Sequence, residues 1–228
     1  MNKSMGYTFL RAICCYALLP ALALGSCRLV AQADSTAFRP VTYLGVQYGQ
    51  SWNEVNFSPA IQQGFLVGQR LAAVLRYVGE PHLGVQLEVA YDQRGWAEVQ
   101  DALSTRYTRQ IDYLDLAIFS HLSVGKGVVR PFLLLGSYLS YPIGETETIP
   151  ADWQPDRQAY YGTPLPQRLQ YGLAAGLGLE VVLGPVSLQL DGRYRSALGG
   201  IFSTNNSSFT FSNGRGLSAQ VSLLVRVF

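Results

Sequence analysis

The sequence predicts an all-β chain, an eight-stranded antiparallel up-and-down transmembrane β-barrel with short periplasmic turns and long outer loops. Three observations carry this. Apolar residues recur with period 2 in eight segments, each near the ~9–11 residues that cross a bilayer when tilted. The connections between those segments alternate between short and long. One face of the segments is almost purely aliphatic, while the other mixes charges with glycine, the pattern of a lipid-facing outside around a narrow wet interior.

The chain opens with an address. Lys3 and Arg11 precede the apolar run from Ala12 to Leu24, too short to span a bilayer and suited to a signal peptide, and Ala31-Gln32-Ala33 supplies a cleavage site. Residues 1–33 are therefore expected to be removed and residues 34–228, beginning at Asp34, to form the barrel. All three cysteines, Cys14, Cys15 and Cys27, leave with the leader, so disulfides do not stabilise the mature chain. An alternative reading takes Leu24-Gly25-Ser26-Cys27 as a lipidation signal. Cleavage after Ala33 also removes Lys3, Arg11 and Arg28, leaving 14 basic against 15 acidic residues. Such a balance, without any cluster of Lys and Arg, excludes a dedicated nucleic-acid binder.

The clearest alternation runs from Leu83 to Tyr91, with Leu83, Val85, Leu87, Val89 and Tyr91 on one face and Gly84, Gln86, Glu88, Ala90 and Asp92 on the other. Tyr171 to Leu183, Val186 to Tyr194 and Leu217 to Val227 repeat it, and Val41 to Ser51, Phe65 to Tyr77, Arg109 to Ser120 and Val129 to Tyr141 carry weaker versions. Short gaps fall at Val78–Pro81, Ser123–Val128 and Gly184-Pro185. Long ones fall at Trp52–Gln62, Ala97–Arg106, Pro142–Leu169 and Gly199–Gly216, so all short turns share one rim. Aromatic residues gather near the opposite rim: Tyr48, Trp52, Phe65, Tyr91, Trp96, Tyr107, Tyr113, Tyr138, Tyr141, Tyr171, Tyr194, Phe209 and Phe211 are expected to form an interfacial girdle. Trp153 and Asn206, in the long loops, are expected at the outer surface. A soluble barrel holding a ligand against its apolar face is the competing architecture; the charges on the polar face and the terminal Phe228 favour the membrane. Phe228 has the parity of Arg226 and not of the aliphatic face, so it departs from the usual register of an assembly signal.

This parity assigns Leu87, Leu116, Leu177, Leu188 and Leu223 to the lipid and places Arg70, Glu88, Asp115, Glu180, Asp191 and Arg193 inside. Folding about Gly79 sets Arg70 opposite Glu88, and folding about the Ala97–Arg106 loop sets Glu88 opposite Asp115. Two adjacent carboxylates in a confined space require a cation. An internal cluster of Arg70, Glu88 and Asp115, joined by Asp191 and Arg193, is therefore expected to plug the lumen in a structural role. The two histidines, His82 and His121, fall at short-turn ends of neighbouring strands, but two ligands without cysteine or a facing carboxylate make a poor metal site. No catalytic residue, cofactor site or metal site is expected. The glycines of Gly172 to Glu180 lie within a strand, not between strand and helix, so they line the lumen and do not cradle a nucleotide. Trp153, Tyr160 and Tyr161, with several prolines, mark the longest loop as a place where a partner can dock or where Pro simply stiffens the chain.

Read in order, Leu44-Gly45-Val46-Gln47-Tyr48-Gly49, Leu83 to Trp96, Tyr113-Leu114-Asp115-Leu116, Arg130 to Tyr138, Tyr171 to Glu180 and Leu188 to Leu198 resemble the PorT-like outer-membrane β-barrel proteins over nearly the whole mature chain. Ala117 stands where that family usually has Pro. The resemblance implies the outer membrane of a Gram-negative bacterium and, for some members, a part in protein secretion. The expected function is a non-enzymatic structural or accessory barrel in contact with outer-membrane lipid, the barrel-assembly machinery and a protein partner at the long loops. A small channel is the alternative, although an eight-stranded barrel is just wide enough for side chains to fill.

Overall fold

The computed structural model describes residues 38–100, 104–153, 160–165, 169–202 and 209–228. The leader, its cleavage site, Asp34, Cys27 and Asn206 lie outside the described residues. The strands are β1 (Val41–Ser58), the two-residue β2 (Gln63–Gly64), β3 (Leu66–Glu80), β4 (Leu83–Val99), β5 (Arg106–Ser123), β6 (Val129–Thr148), β7 (Gln170–Leu183), β8 (Val186–Gly200) and β9 (Phe211–Arg226). All pairings are antiparallel, and the eight long strands pair in chain order. β1 pairs with β9 and β4 with β5, so the eight long strands close into a ring, and β2 adds to the outer end of β4.

Alternation sets the two faces. Leu87, Leu116, Leu177, Leu188 and Leu223 point outward and are exposed, Leu177 most of all at 72%. Gln47, Arg70, Arg76, Gln86, Glu88, Asp115, Gln189, Asp191, Arg193 and Gln220 point inward and are buried. Arg226, at the short-turn rim, is exposed.

Most strands continue beyond the predicted segments at their long-loop ends, and their polarity inverts there. In β1, Ser51 and Asn53 inside give way to Val55 and Phe57, while Trp52 outside gives way to Glu54, Asn56 and Ser58. In β5, Tyr107, Ile111 and Tyr113 face in, while Arg106, Thr108 and Gln110 face out. The lower barrel is apolar outside and polar inside; the upper part is built like a water-soluble protein.

Three expectations are corrected. The β3–β4 hairpin closes with Glu80 opposite Leu83 across Pro81-His82, after a bulge between Val78 and Glu80. Gly79 therefore lies in the bulge and not at the turn centre, while Pro81 has the fixed φ that turns favour. Arg70 consequently faces Asp92, and Glu88 faces Val74 on one side and Ala117 on the other, while Asp115 faces Ala90. The slips preserve parity, so the faces survive while the pairing changes. Of the expected girdle, Tyr48, Trp52, Phe65, Tyr91, Tyr141, Tyr171, Tyr194 and Phe211 are exposed on the outside, but Trp96, Tyr107, Tyr113, Tyr138 and Phe209 are buried within. Tyr113 has the parity of Asp115, and proximity to a rim says nothing about which way a ring points. Trp153, expected at the surface, is also buried.

Candidate functional site

The lumen is filled in three layers. In the central one, Arg70 Nη2 donates to Glu88 Oε2 at 3.0 Å, while its Nη1 reaches Asp115 Oδ2 at 3.0 Å and Asp92 Oδ2 at 3.3 Å. Arg193 Nη1 donates to both Glu88 oxygens at 2.9 Å, and its Nε pairs with Asp191. Arg195 bonds Asp92 at 2.6 Å and Asp115 at 2.8 Å; Arg94 bonds Asp115 Oδ1 at 2.7 Å and Ser140 at 2.8 Å. Four guanidinium groups thus share four carboxylates, and each burial cost is offset by several charge-assisted bonds. β4 and β8 stand four places apart in the eight-membered ring. The contacts of Arg193 and Arg195 with Glu88 and Asp92 therefore cross the whole diameter.

Nearer the short turns, Arg76 of β3 donates to Glu180 of β7 at 2.6 Å, again between opposite strands. Ser187 also donates to Glu180. His121 lies beside this pair, its Nε2 3.4 Å from Arg76 Nη1 and 3.2 Å from Gln189 Nε2. It therefore accepts through Nε2 and carries its proton on Nδ1. His82 is exposed, with Nδ1 3.0 Å from the Ser123 carbonyl oxygen, so the two histidines do not converge.

The outer mouth is closed by part of the longest loop. Phe57, Trp96, Tyr107, Trp153, Tyr160 and Phe209 form one buried cluster, with ring centroids 5.3 Å apart for Phe57 and Trp96 and 4.7 Å for Phe57 and Phe209. Glu98, 3% exposed, accepts from Trp96 Nε1 at 2.9 Å and from the hydroxyls of Tyr160 and Tyr161, both at 2.6 Å. Arg109 donates to the carbonyl oxygen of Tyr160 at 2.9 Å and to that of Thr163. Glu147 accepts from the Gly162 amide and Glu145 from the Leu165 amide, so two carboxylates spaced along β6 hold the loop as a neighbouring strand's carbonyls otherwise do.

Burial, and then the bond to Glu98, push the Tyr160 and Tyr161 phenols above their usual pKa. The neutral phenol is the form favoured in the folded cap. Its contribution is complete below the unfolded tyrosine value of about 10 and is lost as pH rises through the higher folded value. In an alkaline titration followed at the phenolate absorption band, the last phenols to ionise before unfolding should include Tyr160, and Tyr160→Phe should remove that late step. An unchanged titration of the variant would show that the hydroxyl is not held by Glu98.

The geometry brings Arg70, Glu88, Asp115, Asp191 and Arg193 into one network, with Glu88 linking Arg70 to Arg193. It adds Asp92, Arg94 and Arg195, which sequence reasoning left out of the cluster. Parity marks all three: Asp92 alternates with Glu88, and Arg195 with Arg193. Arg94 follows Asp92 in the same alternation, just before Gly95, whose φ is 156°. Glu98 and Arg109, which hold the cap, carried no sequence signal, because their partners come from a loop. Among the described residues there is no group of three or more metal-ligating side chains.

Residues 30–203 match the sequence model of a family described as outer membrane protein beta-barrel domain. No curated protein matches the chain. Among solved structures, the chain is similar to the attachment invasion locus protein Ail of Yersinia pestis, crystallised with the heparin analogue sucrose octasulfate: 15% identity over 83% of this chain and 100% of that one, TM-score 0.48. It is also similar to OprG of Pseudomonas aeruginosa, at 12% identity over 82% and 93% of the two chains and TM-score 0.48. Neisserial surface protein A shares 15% identity over 79% of this chain and 95% of its own, with TM-score 0.44.

Proposed function

This chain belongs to the outer membrane protein beta-barrel domain family, and from that premise we propose that it is a sealed, non-enzymatic barrel whose long-loop end meets a protein partner outside the cell. It resides in the outer membrane. The observation that carries the reading is the pair of diametric cross-links, Glu88 and Asp92 to Arg193 and Arg195, and Arg76 to Glu180. Together they occupy the lumen at two heights with side chains already committed to one another. The outer cap closes it a third time, and Gly162, Thr163 and Pro164 stand exposed on the docked loop as a contact surface. The PorT-like order of motifs, from Leu44–Gly49 to Leu188–Leu198, supports a partner belonging to protein secretion. Contact with the assembly machinery falls to β9, which closes the ring against β1.

Reconstituted into planar bilayers, the protein should show no discrete conductance steps. Large, regular steps would establish a pore and overturn the sealed reading. A photocrosslinker at Pro164 in intact cells should form a defined adduct that the same group at Lys126, in a short turn, does not. Equal adducts from both ends would remove the outer loops from the function.

A further inference from the structure

The lipid-facing wall of the barrel is not uniform. Across β5 to β8 it carries a groove of about 680 Å³. The floor lies where small residues replace large aliphatic ones on the outward face: Ser120 on β5, Ser137 on β6, Ala175 on β7 and Ser196 on β8. Register arranges them as a zigzag. Leu135 stands between Ser120 and Ala175 in one row, and Leu173 stands between Ser137 and Ser196 in the next. Leu135 and Tyr194 therefore wall the groove on one side, and Ile118 and Leu173 on the other. The floor also climbs. Ser120 is close to the lower end of β5 at Ser123, Ala175 lies in the middle of β7, and Ser196 lies in the upper half of β8. From β5 to β8 there are three strand spacings, about 14 Å in all, close to the ~15 Å that the chains of one leaflet occupy.

At the foot of the groove stands the β5–β6 turn. Val124 and Val128, 66% and 58% exposed, carry apolar surface down to it, and Lys126 between them is exposed. On this hairpin the aliphatic belt thus ends in a cation. Arg130 adds a second, its Nε donating to the Gly127 carbonyl oxygen at 2.9 Å, which holds the side chain against the turn. Neither cation has an ion-pair partner among the described residues, and the hairpin from Ile118 to Leu139 contains no acidic residue. A Cβ at Gly125 would meet nothing within 4 Å, so the turn is open beside Lys126. Among the described residues, the exposed charged side chains of the short-turn rim are Arg39, Lys126 and Arg226 against Glu80.

We infer that this hairpin holds one anionic phospholipid of the leaflet on the short-turn side, with its phosphate at Lys126 and Arg130 and one acyl chain along the floor from Ser120 to Ser196. The groove is continuous with the lipid-facing wall that carries Leu116 and Leu177, so what fills it comes from the bilayer. An apolar groove within hydrocarbon takes a chain and not water. The groove supplies contact with the chain of any lipid; the unpaired cations below it supply the preference for a negative headgroup.

The test titrates the intact barrel in detergent with dioleoyl phosphatidylglycerol or dioleoyl phosphatidylcholine and reads bound lipid by native mass spectrometry. One phosphatidylglycerol should stay bound at concentrations where phosphatidylcholine does not. Lys126→Gln together with Arg130→Gln should weaken phosphatidylglycerol binding about tenfold or more, to the level of phosphatidylcholine. Ser137→Leu together with Ala175→Leu fills the floor with apolar side chains suited to the lipid face, and should abolish retention while the barrel keeps its heat-modifiable mobility. Glycerol phosphate, a headgroup without chains, should not compete. Equal retention of the two lipids, or phosphatidylglycerol binding that survives either double variant, overturns the site. Competition by glycerol phosphate would reduce it to a phosphate contact at the turn, and preferential retention of lipopolysaccharide would move the groove to the other leaflet; either result also overturns the assignment.

Discussion

Replacing Arg70 by alanine should lower the stability of the folded barrel by about 3–5 kcal/mol, the usual cost of leaving buried charges without their partner. Arg70 touches Glu88, Asp92 and Asp115 at once. Each of the three keeps another guanidinium group, but the layer is left with three guanidinium groups for four carboxylates, and so with one uncompensated buried charge. Urea unfolding in vesicles, followed by tryptophan emission, measures the loss; Arg106→Ala, at an exposed position on β5, should stay within about 0.5 kcal/mol. Adding Glu88→Gln to Arg70→Ala should recover only part of the loss, because Glu88 also binds Arg193. A double-mutant cycle without coupling between positions 70 and 88 would dissolve the network as drawn.

Leu177→Arg should cost about 2–4 kcal/mol and sharply reduce the heat-modifiable folded species in vesicles, since this side chain lies at the centre of the aliphatic belt. It is the most exposed of the five leucines assigned to lipid, and it faces Leu133 of β6 across the ladder. Thr146→Arg, on the outer face of β6 above the aromatic belt, should be nearly neutral, because polarity has already inverted there. Arginine tolerated equally at the two positions would mean that the lipid boundary lies elsewhere.

Period 2 made the eight strands and both faces legible, since a buried or lipid-facing row repeats every second residue whatever lies beside it. Strand ends were not legible for the same reason. A search for aliphatic residues of constant parity stops at Ser51, although alternation continues through Val55 and Phe57 on the opposite face. The charge cluster was legible as a set of inward residues but not as pairs. Its pairing depends on hairpin registers, and the shift at Gly79 moved Arg70 from Glu88 to Asp92 as its direct neighbour. The cap was illegible because it is made by a loop folding inward. No spacing in the sequence links Glu98 to Tyr160 and Tyr161, which lie more than sixty residues away.

The diametric cross-links have a kinetic meaning. Glu88 and Arg193 are 105 residues apart, and Arg76 and Glu180 are 104 apart, so neither bond can form while the sheet is still growing strand by strand. Contacts of such sequence separation, each joining opposite strands of the ring, are expected to form late in folding. Interactions absent from the rate-limiting state leave the folding rate nearly unchanged and act on the reverse rate. The spokes across this barrel therefore set its lifetime once assembled: strands whose described residues include no cysteine are kept together by slow opening.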